Sequence, residues 1–258
     1  RGNVKFRKEG MFMYCDSALF YEASNSLDAF GNVRMVQGDT LSLTADVLYY
    51  DGLDKLARVR NNVVLVHGQM TLYTDSLDYD RLYNVGYFFE GGHLITQDND
   101  MTSDWGEYRP QTKVAVFNYN VHLVSPAPPQ QARTTLLTDT LYYNTVTSVA
   151  NARGPSTIDD GGCHIYTEMG YVNSKNNNLT LLNRSEMSNN GKKLIGDSIV
   201  WNSVDSIGEA FGNVFYSDML NNNAMTGNYC YYNDRMGYTL GTDSACILDY
   251  SQGADTMY

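Results

Sequence analysis

An eight-residue pattern recurs along the chain at nearly constant spacing, and it constrains the fold more than any other feature. Leu43–Tyr50 reads LTADVLYY, Leu72–Tyr79 LYTDSLDY, Leu136–Tyr143 LLTDTLYY and Leu194–Trp201 LIGDSIVW. Looser copies begin at Met13, Met101, Ile165, Met225 and Leu240. Their anchors are Asp16, Asp46, Asp75, Asp104, Asp139, Glu168 and Asp197, with Asn228 next and Asp243 last. Steps from Asp16 to Asn228 are 30, 29, 29, 35, 29, 29 and 31 residues. The long step holds Ser125-Pro126-Ala127-Pro128-Pro129, which predicts a loop insertion near 125–133. Asp243 follows Asn228 by 15 residues, half a period, so each period holds two strands.

Three columns of the repeat are informative. Three places before the anchor all nine residues are apolar, and one place before it all nine are small. Four places after it seven of nine are aromatic, Val172 and Ile247 being the exceptions. Between these strands lies a second motif, as in Phe30-Gly31-Asn32-Val33, Arg60-Asn61-Asn62-Val63, Tyr119-Asn120-Val121 and Phe211-Gly212-Asn213-Val214. Turn residues such as Asp51-Gly52, Asp80-Arg81 and Asn144-Thr145 separate the two motifs, the signal for hairpins between antiparallel strands.

Strand side chains alternate faces with period 2. In Leu41–Tyr50 the apolar set runs Leu41, Leu43, Ala45 and then Leu48, Tyr50, so parity breaks beside Asp46. Such a break is what a bulge or bend produces. Each strand is therefore expected to kink at its middle, at the small residue and the acid, with the carboxylate accepting backbone N–H groups left unpaired there. The predicted fold is all-β: an elongated antiparallel β-jellyroll of about seventeen repeated, mid-strand-kinked strands with an apolar interior. At ~4.8 Å per strand the array would run about 80 Å. It is expected to be one array over residues 1–258.

Composition excludes several alternatives. Twenty-one Tyr and 22 Gly with five Pro favour strands and tight turns. A net charge of −11 argues against nucleic acid, whose binding needs a Lys/Arg surface. No apolar run is long enough for a membrane helix. A lipid-facing barrel would place Arg58, Arg60, Asp78 and Glu107 in hydrocarbon. The chain opens on Arg1-Gly2-Asn3-Val4, which already reads as mid-strand, so upstream sequence is expected to have been removed. The four histidines (His67, His93, His122 and His164) occupy different registers, and no GxSxG, HExxH or Walker loop occurs. Asp98, Asp100, Asp159 and Asp160 fall in turns, where solvated loop acids are the plainer reading. No catalysis, metal or cofactor is expected. Cys230 and Cys246 have a spacing that would let them face each other on neighbouring strands, leaving a disulfide open in an oxidising compartment.

The stretch from Gly31 to Gly68, GNVRMVQGDTLSLTADVLYYDGLDKLARVRNNVVLVHG, resembles the OstA-like (LptA) family of lipopolysaccharide-transport proteins. The likeness is best over 30–80 and 135–145. It implies a periplasmic β-jellyroll, or one associated with the outer membrane, whose interior holds lipopolysaccharide acyl chains and whose molecules join end to end. The array is longer than a single-domain member needs and ends inside a copy, which implies a fragment of a larger protein. The candidate lipid-binding residues are the inward columns. They comprise Val33, Met35, Leu43, Leu48, Tyr50, Val63, Leu65, Leu72, Leu77, Tyr79, Met101, Val121, Leu123, Leu136, Leu141, Tyr143, Ile165, Leu194, Ile199 and Trp201. The implied partners are lipopolysaccharide or a related lipid, and other β-jellyroll proteins or a second copy meeting the edge strands near Gly2–Lys8 and Gly253–Tyr258. Two other readings stay open. The same columns would pack wall against wall in a sealed structural sandwich, and the tyrosines would stack sugars in a glycan-binding surface.

Overall fold

The computed structural model describes residues 3–250 except 9, 40, 126–132, 174, 177 and 203. The expected insertion near 125–133 and the edge at Gly253–Tyr258 therefore lie largely or wholly outside the described residues. Among the described residues there are 21 strand segments and no helix. The chain forms two compact units, Arg1–Val121 with Asn144–Val146, and His122–Tyr143 with Thr147–Tyr258.

The first unit holds β1 (Val4–Lys8), β2 (Met11–Cys15), β3 (Ser17–Tyr21), β4 (Ser26–Gln37), β5 (Leu41–Asp51) and β6 (Leu56–His67). It continues through β7 (Met70–Asp80), β8 (Val85–Phe88), β9 (Gly92–Ile95), β10 (Asp100–Ser103), β11 (Trp105–Arg109) and most of β12 (Val114–Ser125). The second unit holds β13 (Thr134–Asn144), β14 (Val149–Asp160), β15 (Cys163–Asn173), β16 (Asn178–Asn189) and β17 (Lys192–Asn202). It ends with β18 (Ile207–Asp218), β19 (Asn223–Asn233), β20 (Tyr238–Thr242) and β21 (Cys246–Asp249). Four pairs of segments are the two arms of one bent strand. β2 and β3 both pair with β4, β8 and β9 with β7, β20 and β21 with β19, and β10 and β11 continue β9 and β8. The 21 segments thus make seventeen rungs, as the repeat arithmetic predicts.

The bend has a chemical cause. Val33 pairs with Ala45 and Phe30 with Val47, so Gly31 and Asn32 together face Asp46 alone. Two residues opposite one is the definition of a bulge. The extra pair is left-handed: Asn32 has φ 46°, Asn61 and Asn62 63° and 52°, Asn183 and Arg184 62° and 60°. Asn tolerates this region because its short side chain bonds locally. Here the amide reaches an anchor carboxylate on the preceding rung. Asn32 Nδ2 donates to Asp16 at 2.9 Å, Asn62 to Asp46 at 2.8 Å, Asn120 to Asp104 at 2.6 Å and Asn213 to Asp197 at 2.7 Å. A Cβ on Gly31 would stand 2.5 Å from Asp16 Oδ2, and one on Gly212 2.6 Å from Asp197 Oδ2, so glycine is what lets the carboxylate come this close.

This corrects three expectations. The left-handed break sits in the second motif, opposite the anchor strand, at the steps Gly31-Asn32, Asn61-Asn62, Tyr119-Asn120, Asn183-Arg184 and Gly212-Asn213. The anchor carboxylates bind chiefly Asn side-chain amides, although the Asn62 backbone N–H does reach Asp75 Oδ1 at 3.1 Å. The ninth copy is a copy of the second motif. Asp243 and Ser244 have φ 61° and 62°, and Asn228 N–H donates to Asp243 O just as Asp16 N–H donates to Gly31 O. Leu240 accordingly faces outward as the partner of Tyr231, and Ile247, the partner of inward Met225, is exposed on the outermost described rung. An unrecognised copy lies at Gly154-Pro155, which face Glu168 between the pairs Arg153↔Met169 and Ser156↔Thr167.

Turns close the rungs with the residues noted above. Asp51 Oδ1 accepts the N–H groups of Leu53 and Asp54, and Asp80 Oδ1 those of Leu82 and Tyr83. These side-chain acceptors imitate a backbone turn.

Candidate functional site

Bending every rung creates two walls in the first unit. On one arm the inward residues Phe6, Met13, Met35, Leu43, Leu65, Leu72 and Leu94 are register partners from rung to rung. On the other arm the partners are Leu27, Tyr50, Ala57, Tyr79, Gly86, Tyr108 and Ala115. This second ladder alternates large and small, so notches at Ala57 and Gly86 separate the tyrosines. Between the walls lies a cavity of about 570 Å³, lined by all these residues. Leu48, Val59, Leu77, Phe88 and Phe117 form its floor side, toward the bend.

Polar groups gather at the lip. Arg81, His67, Gln37 and Glu107 also line the cavity. Arg81 Nη1 donates to the Tyr50 hydroxyl at 3.3 Å, and the Tyr79 hydroxyl donates to Asn84. Glu107 is tied to Arg109 at 2.9 Å. His67 meets Tyr108 edge-on at 6.1 Å, one wall to the other. Burial, with the Lys113 charge, pushes His67 below the ordinary histidine range, which keeps it neutral at pH 7. Burial likewise pushes Tyr79 and Tyr108 upward, so both stay un-ionised.

The second unit repeats the walls, and among the described residues they meet across the gap. Leu136, Leu141, Ile165, Leu194, Ile199 and Tyr143 are all buried. Tyr216 on one arm touches Tyr232 on the other at 5.9 Å, and Trp201 stacks on Tyr232 at 6.1 Å. The open trough and the sealed sandwich, rival readings of one repeat, describe different halves of the chain.

Of the predicted lining residues, Met35, Leu43, Leu48, Tyr50, Leu65, Leu72, Leu77 and Tyr79 border the cavity. Val33, Val63, Met101 and Val121 are buried in the first unit without bordering it. Leu123, Leu136, Leu141, Tyr143, Ile165, Leu194, Ile199 and Trp201 lie inside the second unit. Sequence reasoning missed Phe6, Met11, Phe20, Leu27, Ala57, Phe88 and Leu94. Register would have found several of them, since the partner of an inward residue is inward too. Arg58 faces out, and outward Arg60 pairs with Asp78 at 2.6 Å.

The cysteines are free thiols. Cys230 pairs with Gly241 and Cys246 with Thr226, on opposite sides of the β19 bend, so the two do not face each other as their spacing suggested. Burial pushes the Cys230 thiol up to about 11.

A family model described as OstA-like protein matches residues 1–128, just under half of the chain and nearly all of the first unit. Among solved structures the chain is similar to LptH of Pseudomonas aeruginosa, described as the LptA homologous periplasmic component of the conserved lipopolysaccharide transport device. Identity is 18%, the match covers 45% of this chain and 83% of that one, and the TM-score is 0.39. No curated protein matches.

Proposed function

We propose, for a chain whose first 128 residues are OstA-like, that the first unit carries the acyl chains of lipopolysaccharide or a related amphipathic lipid between its walls. The observation that carries this reading is the apolar cavity of about 570 Å³ held open between two ladders of Leu, Met and Tyr. Each methylene buried there gains about 0.8 kcal/mol, so an acyl chain binds without a charged contact, while Arg81 and His67 at the lip meet whatever lies outside. In this reading the protein acts as a carrier. A periplasmic setting fits the relative's description. No helix among the described residues is long and apolar enough to cross a membrane, which says nothing of strands.

The edge strand β1 pairs on one side only with β2 among the described residues. Such an edge takes a further strand from a second copy or another β-jellyroll protein. Sedimentation across concentration should show association that Phe6→Pro, which removes a backbone donor, weakens.

Photo-crosslinking tests the carrier reading. A photoreactive residue at Leu48 or Leu77 should transfer label to lipopolysaccharide, and one at outward Arg58 should not. Equal transfer from all three positions, or none from any, would reject it. Saccharide affinity lost in Tyr50→Ala and insensitive to detergent would instead favour glycan binding.

A further inference from the structure

Across its mouth the second unit carries a charged link, where the described residues of the first show the His67–Tyr108 ring contact. Lys192 opens β17, where it pairs with Asn189 and Asp218 at the lip of one arm. Asp234 follows β19 at the lip of the other arm, one place beyond the pair Asn233↔Ile207. Lys192 Nζ reaches Asp234 Oδ1 at 3.2 Å and the Tyr232 hydroxyl at 3.3 Å, and that hydroxyl donates to Asp234 Oδ1 at 2.5 Å. These contacts form a strap between the arms. In the first unit, Arg60–Asp78, His93–Asp100 and Arg109–Glu107 each stay within one arm. The strap is partly exposed, with Lys192 and Asp234 side chains 27% and 44% accessible. Ion pairs so placed are weak, so the strap opens readily.

A second observation points inward. Trp201 is 8% exposed, its ring lies against Gly208 and Tyr232, and its Nε1–H is buried without an acceptor among the described residues. A buried donor left unpaired is costly and calls for an explanation. An acyl chain brings one, because its ester or amide carbonyl accepts where the methylenes cannot.

We propose that the second unit holds a closed acyl-chain site, gated by the Lys192–Tyr232–Asp234 strap and selective, through Trp201 Nε1–H, for chains that carry a carbonyl. This rests on the reading that these walls take acyl chains. Opening selects a minor conformation in which the arms part, and the chain stabilises it.

Trp105→Phe leaves Trp201 as the sole tryptophan of the 258-residue chain. Quenching of its emission by a dibrominated monoacylglycerol reports occupancy. Adding Lys192→Met should lower the half-quenching concentration at least threefold, and Lys192→Arg should leave it near the parent value. A brominated dodecyl maltoside, which has the chain without the carbonyl, should need about fivefold more, the worth of one hydrogen bond. Equal quenching with and without the strap overturns the gate, and equal quenching by both probes overturns the donor. Maleimide labelling of buried Cys15, in the first unit, must stay slow in Lys192→Met. If it quickens, the substitution unfolds the chain and the gate is rejected. Crosslinking from Leu48 in the same samples keeps the two proposals apart, since loss of that signal alone sinks the carrier reading.

Discussion

Ala57→Phe separates a working cavity from an incidental one. Ala57 lines the cavity and sits in register between Tyr50 and Tyr79. With neighbouring strands ~4.8 Å apart, those rings stand ~10 Å from each other. A phenylalanine here fills the notch and denies its wall to about three methylenes of a bound chain. At about 0.8 kcal/mol each, the loss is about 2.4 kcal/mol, roughly fiftyfold in affinity. The ring enters open space, so the melting temperature should hold, whereas overpacking a filled core would cost about 1–3 kcal/mol. Displacement of a fluorescent fatty-acyl probe by lipopolysaccharide reads the affinity, and a thermal melt reads the fold. Affinity within twofold of the parent, with the melt unchanged, would mean that the chain does not run along this wall.

The remaining predictions probe the packing, the bend and the strap. Leu141→Ala, at a fully buried site in the second unit, should cost about 2–5 kcal/mol in denaturant unfolding, and Leu65→Ala, half-buried at the cavity, clearly less; equal losses would contradict the open and closed description. Asn62→Ala loses the 2.8 Å bond to Asp46 and puts a methyl side chain at φ 52°, so it should cost about 2 kcal/mol, while Asn62→Gly recovers the backbone share of about 1 kcal/mol. In the strap, the Tyr232 hydroxyl and the Lys192 charge hold the Asp234 carboxyl below its ordinary 3.8. Its contribution is therefore present above about pH 4 and lost as pH falls through the depressed value. Lys192 is held above its ordinary 10.5 by Tyr232 and Asp234 despite burial, so its contribution stays intact at neutral pH and is lost only in strong alkali. Maleimide labelling of Cys163 cannot follow acid, since burial lifts that thiol to about 12, but hydrogen exchange over Lys192–Trp201 should be flat from pH 5 to 9, once corrected for intrinsic rate, and quicken below pH 4. His67→Phe should remove a stability loss that otherwise sets in as pH falls below 6.5, because burial disfavours the charged ring.

Rung count, bend frequency and the inward columns were legible because each is a local rule repeated many times. Leu43, Ala45 and Leu48 are buried in the order their broken parity requires. Asp51 and Asp80 cap the turns they precede. The ninth copy misled because an acid flanked by Leu and Gly looks alike whether it anchors a bend, as Asp197 does, or occupies its left-handed turn, as Asp243 does. Only the partner strand distinguishes them. The cysteine pair misled for the same reason: spacing counts residues along the chain and cannot tell which side of a bend each one joins.

The amino-acid order alone determined that this chain is a ladder of bent strands with a greasy inner face, since alternation, turn chemistry and the Gly/Asn steps act within a rung and its neighbours. Whether facing walls stand apart or touch was decided by the tertiary structure, through contacts between residues as distant as Lys192 and Asp234. The same Leu and Tyr columns line an opening in one unit and a packed core in the other, because wall separation depends on side chains meeting across the gap, and no repeat records that distance.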